Sequence, residues 1–200
     1  MYRLFYDYET NGDVLFVVID PEKKVTKTVS NGNVTAIYSG EELVGINLFE
    51  ISSSVKIKSH GIIFAPSEKL LSAINPVLLN AGLPALEEPK SSGYRVLRIK
   101  KLEEHPLDEK AQIVTLSDGK EDYTTVSWYS NLREGMQVVS AMDGCILIDG
   151  TLFHKGMLKN IAHDVSLCGA NELKIESPNK GAFVPEGYQD GEDFFYATHE

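Results

Sequence analysis

The sequence predicts a mainly β protein in two parts. An α+β domain is expected over residues 1–85, followed by a second set of short strands over 93–200 that suits a small barrel or sandwich. Three observations lead there. Asn-Gly or Asp-Gly occurs six times, at Asn11, Asn31, Asp118, Asp143, Asp149 and Asp190 with the glycine that follows each. Such pairs tolerate the positive φ that tight hairpin turns demand. Between them lie short runs of β-branched and aromatic residues, and only one segment has helical periodicity.

Taken in order, residues 13–19 (DVLFVVI) are nearly all apolar and read as a buried central strand. Residues 25–29 and 34–38 alternate on either side of Asn31-Gly32 and read as a hairpin. Residues 43–49 and 55–63 continue the β pattern. Residues 67–81 then place Leu70, Leu71, Ile74, Leu78 and Ala81 at three-and-four spacing, which predicts a helix. Ser67 suits its N-cap, and Gly82 with Pro84 suits its end. Pro76 lies inside, so the helix is expected to kink there, or to restart as a second helix capped by Asn75. The stretch 82–93 (GLPALEEPKSSG) has little periodicity and reads as a linker, with 86–92 at the boundary. Residues 94–101, 111–116, 123–128, 137–142 and 145–148 then read as strands.

Composition narrows the function. The chain has 200 residues, 42% hydrophobic and 24% charged, which excludes disorder as the main state. No apolar run approaches the roughly 20 residues needed to cross a bilayer. The opening residues, Met1 to Asp7, lack the basic-then-apolar pattern of a secretory signal, and the expected location is the cytoplasm. Cys145 and Cys168 are too few for a disulfide framework or a four-cysteine zinc site, and read as small buried hydrophobes. Net charge is −10, with 19 basic and 29 acidic residues. That balance opposes nucleic-acid binding by a whole-protein field, so any RNA contact needs a local basic patch. Five of the acids lie in the last twenty residues: Glu186, Asp190, Glu192, Asp193 and Glu200.

No catalytic constellation stands out, and no enzyme activity, metal or cofactor is expected. The five histidines, His60, His105, His154, His163 and His199, show no zinc-protease spacing. His163-Asp164 with Ser166 reads as surface or capping residues, because triads assemble in space rather than in sequence. There is no glycine-rich phosphate loop. A binding pattern remains. Trp128 and Tyr129 end a predicted strand, where aromatic rings can stack on unpaired bases or else fill the core. Arg95, Arg98, Lys100, Lys101 and Lys110, with Lys155 and Lys159 later, form either a modest basic patch or a solvated strand face.

Several segments carry a resemblance. His105-Pro106-Leu107-Asp108-Glu109-Lys110, then Asn131, Gly135-Met136-Gln137-Val138, Leu158-Lys159-Asn160, Asp164-Val165-Ser166 and Cys168-Gly169-Ala170-Asn171-Glu172-Leu173 follow one another in the second part. In order and spacing this part resembles the tRNA-binding domain of the endothelial monocyte-activating polypeptide type. In the first part, Phe5-Tyr6-Asp7, Gly12-Asp13-Val14-Leu15, Val44 to Phe49 and Ser52-Ser53 resemble the N-terminal domain of the bacterial-type YtpR proteins. The resemblance implies an OB-fold barrel with a short helix near 169–173, and a non-catalytic protein that binds tRNA or another structured or single-stranded RNA. Taken with the aromatic and basic residues above, the RNA-binding reading expects contact from Arg98, Lys100, Lys110, Trp128, Tyr129, Asn131, Lys155, Lys159 and Ser166. An aminoacyl-tRNA synthetase and a second copy of the chain are further implied partners. The acidic balance instead favours an interaction or dimerisation module with weak or lost RNA binding. The chain departs from the family where RNA contact is expected. Asp164, Val165 and Ser166 stand where the family has Ser, Gly and Met, and Asp164 is expected to repel phosphate there.

Overall fold

Alternation of apolar residues lays out the first sheet. In a computed structural model describing residues 2–196, residues up to Lys90 group with Ile148–Thr151 as one unit, and the other described residues form a second. His199 and Glu200 lie outside the described residues. In the first unit the strands are β1 (Arg3–Tyr6), β2 (Val14–Val18), β3 (Lys27–Asn31), β4 (Val34–Ser39), β5 (Glu42–Phe49) and β6 (Gly61–Ile63). They form one antiparallel sheet in the order β3-β4-β5-β2-β1-β6. The strand expected over 13–19 is indeed internal, but it alternates: Leu15 and Val17 are buried, while Val14, Phe16 and Val18 are only partly so.

Leu4, Tyr6, Leu15, Val17, Val34, Ala36, Ile46 and Leu48 share one core with Leu70, Leu71, Ile74 and Leu78. The last four come from α2 (Glu68–Asn80), the helix the periodicity predicts. Burying four such side chains contributes roughly 6–12 kcal/mol before entropy. The Ser67 hydroxyl accepts the Leu70 N–H at 3.2 Å as the expected cap. The helix runs through Pro76 without restarting. Asn75 does not cap a second helix. Its amide donates to Leu86 O at 3.0 Å and accepts from Leu86 N at 2.8 Å, fastening the chain that leaves the helix.

Two local readings fail in this unit. Residues 55–60 form no strand, because Val55 and Ile57 pack on the core as a loop without a partner strand. A one-turn helix, α1 (Tyr8–Asn11), appears where none was expected, capped by the Asp7 carboxylate on Thr10 N. The linker is tied at its first end, where Leu83 and Leu86 join the core and Tyr2 donates to Glu87 O.

The second unit holds β7 (Tyr94–His105), β8 (Asp108–Ser117), β9 (Asp122–Ser127), β10 (Gln137–Ala141), β11 (Gly156–Leu158), β12 (Ile161–His163) and β13 (Ser166–Leu167). The sheet order is β13-β10-β7-β8-β9, all antiparallel, with β11 and β12 paired apart from it. The expected closed barrel is not found: β9 and β13 are open edges. Asp164, two residues before β13, nonetheless bonds to β9. Its N–H donates to Thr124 O at 2.8 Å, as a ladder strand would, but its carboxylate takes the Thr124 N–H at 2.8 Å. The side chain thus replaces the next backbone acceptor, and Val165 turns fully into the core. The strand expected over 145–148 reduces to one isolated bridge, Ile146 with Leu152, between two Asp-Gly turns. The short helix expected near 169–173 is a single 3-10 turn, Asn171–Leu173. The acidic C-terminal segment lies along β7, with Gly191 N on Val96 O and Val96 N on Glu192 O.

Candidate nucleic-acid interface

The end of β9 carries the candidate site. Leu158, Lys159 and Ile161 belong to the β11–β12 hairpin, whose turn places both Lys159 (φ 49°) and Asn160 (φ 65°) in the left-handed region. That turn brings the Lys159 ammonium to 5.4 Å from the centroid of the Trp128 ring, within cation–π range. Both groups meet the same carboxylate. Asp108 Oδ2 accepts the Trp128 indole N–H at 3.0 Å and the Lys159 ammonium at 2.5 Å. These donors hold the Asp108 carboxyl well below the usual carboxylate range, Lys159 first. Trp128 nevertheless keeps 47% of its surface exposed, so the ring is at the surface and not in the core.

Beside it runs a groove of about 390 Å³ lined by Val126, Ser127, Trp128, Tyr129, Leu158, His163, Ser166 and Leu167. Tyr129 is half-buried, and its hydroxyl donates to Glu172 at 3.1 Å. Burial, then the Glu172 charge, pushes the phenol pKa far up. His163 Nδ1 lies 2.7 Å from the Thr125 hydroxyl, and its ring meets Phe153 edge-on. Burial lowers its pKa against the opposing pull of Asp164, so the imidazole is neutral near pH 7.

The residues assigned to RNA contact do not all converge. Trp128, Tyr129 and Ser166 line the groove, and Lys159 stands over the Trp128 ring. Lys110 is exposed, with its N–H on Asp108 Oδ1 and its ammonium unpaired among the described residues. Lys155 is also exposed and unpaired there, held by its backbone to Asp143 rather than in the groove. Lys100 pairs with Asp122 at 2.8 Å, at the far end of β9 from Trp128. Arg98 is bonded to Asp190 at 2.7 Å and to Gly135 O at 2.7 Å, which binds it to the C-terminal segment. Asn131 turns inward. Its amide donates to Ala182 O at 2.9 Å and accepts from Ala182 N at 2.9 Å. Asp164, expected to repel phosphate, spends its carboxylate on Thr124.

Sequence reasoning missed His163 and Leu158. The signal for them was the β11–β12 hairpin, hidden because its turn uses Lys159 and Asn160 rather than a glycine. Among the described residues no group of three or more His, Cys, Asp or Glu side chains is placed to hold a metal ion. No helix of the described residues is long and apolar enough to cross a membrane.

Comparison with known proteins gives a consistent picture. The family described as a domain of unknown function, DUF4479, matches residues 20–86. YtpR of Bacillus subtilis (strain 168), a protein named for tRNA binding, is 28% identical over 197 residues, 95% of this chain and 98% of its own length. The phenylalanine–tRNA ligase beta subunit of Protochlamydia amoebophila (strain UWE25) is 39% identical over 93 residues, covering 45% of this chain but only 12% of that subunit. A solved structure described as a MetRS related protein from Pyrococcus horikoshii aligns with a TM-score of 0.34 and 15% identity, over 49% of this chain and 84% of that one. A likeness of that size decides nothing about the fold.

Proposed function

We propose that this chain, a protein of the YtpR type, is a non-catalytic cytoplasmic tRNA-binding protein that works through its second unit. Its open sheet, tied from β9 to the chain before β13 by Asp164, is read as an OB-type barrel left unclosed. One observation carries the reading: an exposed Trp128 ring with a lysine ammonium over it, at the lip of a groove. An aromatic face for a base and a cation for its phosphate are what single-stranded nucleic acid needs, and each stacked base is worth about 1–3 kcal/mol. Trp128 is the only tryptophan in the chain, so its emission reports on this site alone. Titrating bulk tRNA into the full chain should quench that emission in step with binding followed by anisotropy of labelled tRNA. No binding at low salt, or binding that leaves the emission unchanged, refutes the proposal.

A second reading is favoured by the ion pairs. Arg98, Lys100 and Lys159 are each already matched to an aspartate. On that reading the unit is an interaction module, docking on a synthetase or on a second copy of the chain, with weak RNA affinity. Size-exclusion chromatography with light scattering, with and without tRNA, separates the two.

A further inference from the structure

The groove beside Trp128 has a polar floor that stacking alone leaves unused. His163 Nδ1 is occupied by the Thr125 hydroxyl, while Nε2 has no partner among the described residues. Ser166 Oγ, on the same groove wall, has none either. The other walls are Trp128, Tyr129, Leu158, Val126 and Leu167, and Ser127 Oγ is taken by the Tyr129 N–H at 3.2 Å. Two open hydrogen-bonding atoms thus sit among aromatic and aliphatic surface, in a space of about 390 Å³. An organic ring with polar edges fits this chemistry better than a bare phosphate, for which the groove offers no cation on its floor. Lys159 stands only at the lip, over Trp128.

We infer that this groove seats one unpaired nucleobase of a bound RNA, stacked on Trp128 and read at its edge by His163 Nε2 and Ser166 Oγ. The inference rests on the RNA-binding reading above and makes His163 a specificity-determining residue of it. A paired base has its edge engaged and its faces stacked within the helix, so the ligand is single-stranded or a loop. The tautomer of His163 decides which edge is chosen. With the Thr125 hydroxyl donating to Nδ1, Nε2–H donates to the base, and in the other tautomer Nε2 accepts.

The test uses the full chain and labelled eight-nucleotide oligo(A), oligo(C) and oligo(U), with a twelve-base-pair RNA duplex and bulk tRNA as references. The wild type should prefer one homopolymer by at least about fivefold, the order expected of two hydrogen bonds, and should bind the duplex less well than that strand. Trp128→Ala should weaken all three alike, because stacking tolerates every base. His163→Phe keeps a ring against Phe153 but removes Nε2, and should cut the preference ratio by roughly 2–10-fold. It also unpairs the buried Thr125 hydroxyl, so Ser166→Ala, which disturbs no bond of the fold, is measured beside it and should cut the ratio likewise. A flat preference in the wild type, or an unchanged ratio in the folded variants, overturns the inference. So does binding of tRNA with no binding of any single strand, which leaves the RNA-binding reading standing. Failure to bind any RNA overturns both.

Discussion

Asn131→Ala should destabilise the second unit without removing an RNA contact. The side chain makes two hydrogen bonds to Ala182, both 2.9 Å, across 51 residues of chain. Ala182 is 3% exposed, so its N–H and C=O would be left without water as well as without Asn131. A net loss of about 0.5–1.5 kcal/mol per bond, raised by stranding buried groups, gives roughly 2–4 kcal/mol. At about 2–4 °C per kcal/mol for a chain of this size, Tm should fall by roughly 5–15 °C. A second variant checks the geometry. A Cβ on Gly181 would collide with the Asn131 amide, so Gly181→Ala should also destabilise. Removing Asn131 removes that clash. The double variant should therefore be less destabilised than the sum of the singles by at least about 1 kcal/mol. Melting is followed by far-UV circular dichroism, and oligonucleotide affinity is measured well below both melting temperatures. An Asn131→Ala protein that melts within about 2 °C of wild type but loses RNA affinity refutes the reasoning and returns Asn131 to the contact surface.

Three further outcomes are expected. Installing the family's turn with Asp164→Ser, Val165→Gly and Ser166→Met should cost about 3–5 kcal/mol. Val165 is fully buried and Asp164 holds Thr124, and chemical denaturation would reveal the loss; a triple variant as stable as wild type would contradict this. RNA affinity should have a shallow salt dependence, with a slope of log K against log [salt] between about −1 and −3, since Lys110 and Lys155 are the unpaired cations among the assigned residues; a slope steeper than about −5 would show that the ion pairs open on binding. Burial depresses the His163 pKa, so the unfolded chain takes up a proton that the folded one refuses as pH drops below about 6.5. That stability is present above this pH and lost below it. The drop in Tm between about pH 7.5 and 5.5 should therefore be smaller in His163→Phe than in wild type, and equal drops would show that His163 does not contribute.

What was legible in the sequence was local. Asn31-Gly32 sets a hairpin with Asn31 opposite Val34, and Gly32 takes φ 59°, as such a turn demands. Ser67 and the spacing of Leu70, Leu71, Ile74 and Leu78 give the helix its start and its buried face. What failed needed partners distant in the chain. Val55 and Ile57 alternate like a strand, yet no neighbouring strand offers them a ladder, and they end as loop residues on the core. Tyr8–Asn11 had caps at Asp7 and Gly12 but is too short to show a period. At the site, the aromatic pair was readable because Trp128 and Tyr129 end a strand. The neighbours that give it chemistry were not. Asp108 and Lys159 are 51 residues apart and meet only through topology.

This separation explains why the resemblance and the groove agree only in part. Three positions that match or replace the family's motif are bound inside the unit: Asn131 to Ala182, Asp164 to Thr124, Val165 in the core. A motif kept in order and spacing is what a shared path of the chain leaves behind, and a fold tolerates exchange of the groups that touch a ligand more readily than exchange of those that hold the path. The groups of the groove with free hydrogen-bonding capacity or exposed ring surface are Trp128, His163 and Ser166; Trp128 and Ser166 fall on the motif, each where the family has another residue, and His163 falls off it. With Ser166 assisting in selectivity, stacking in this chain should therefore follow Trp128 and base choice His163. A relative of the same fold carrying small residues at those two places should bind RNA by backbone contacts alone, with no preference among bases and a steeper salt dependence.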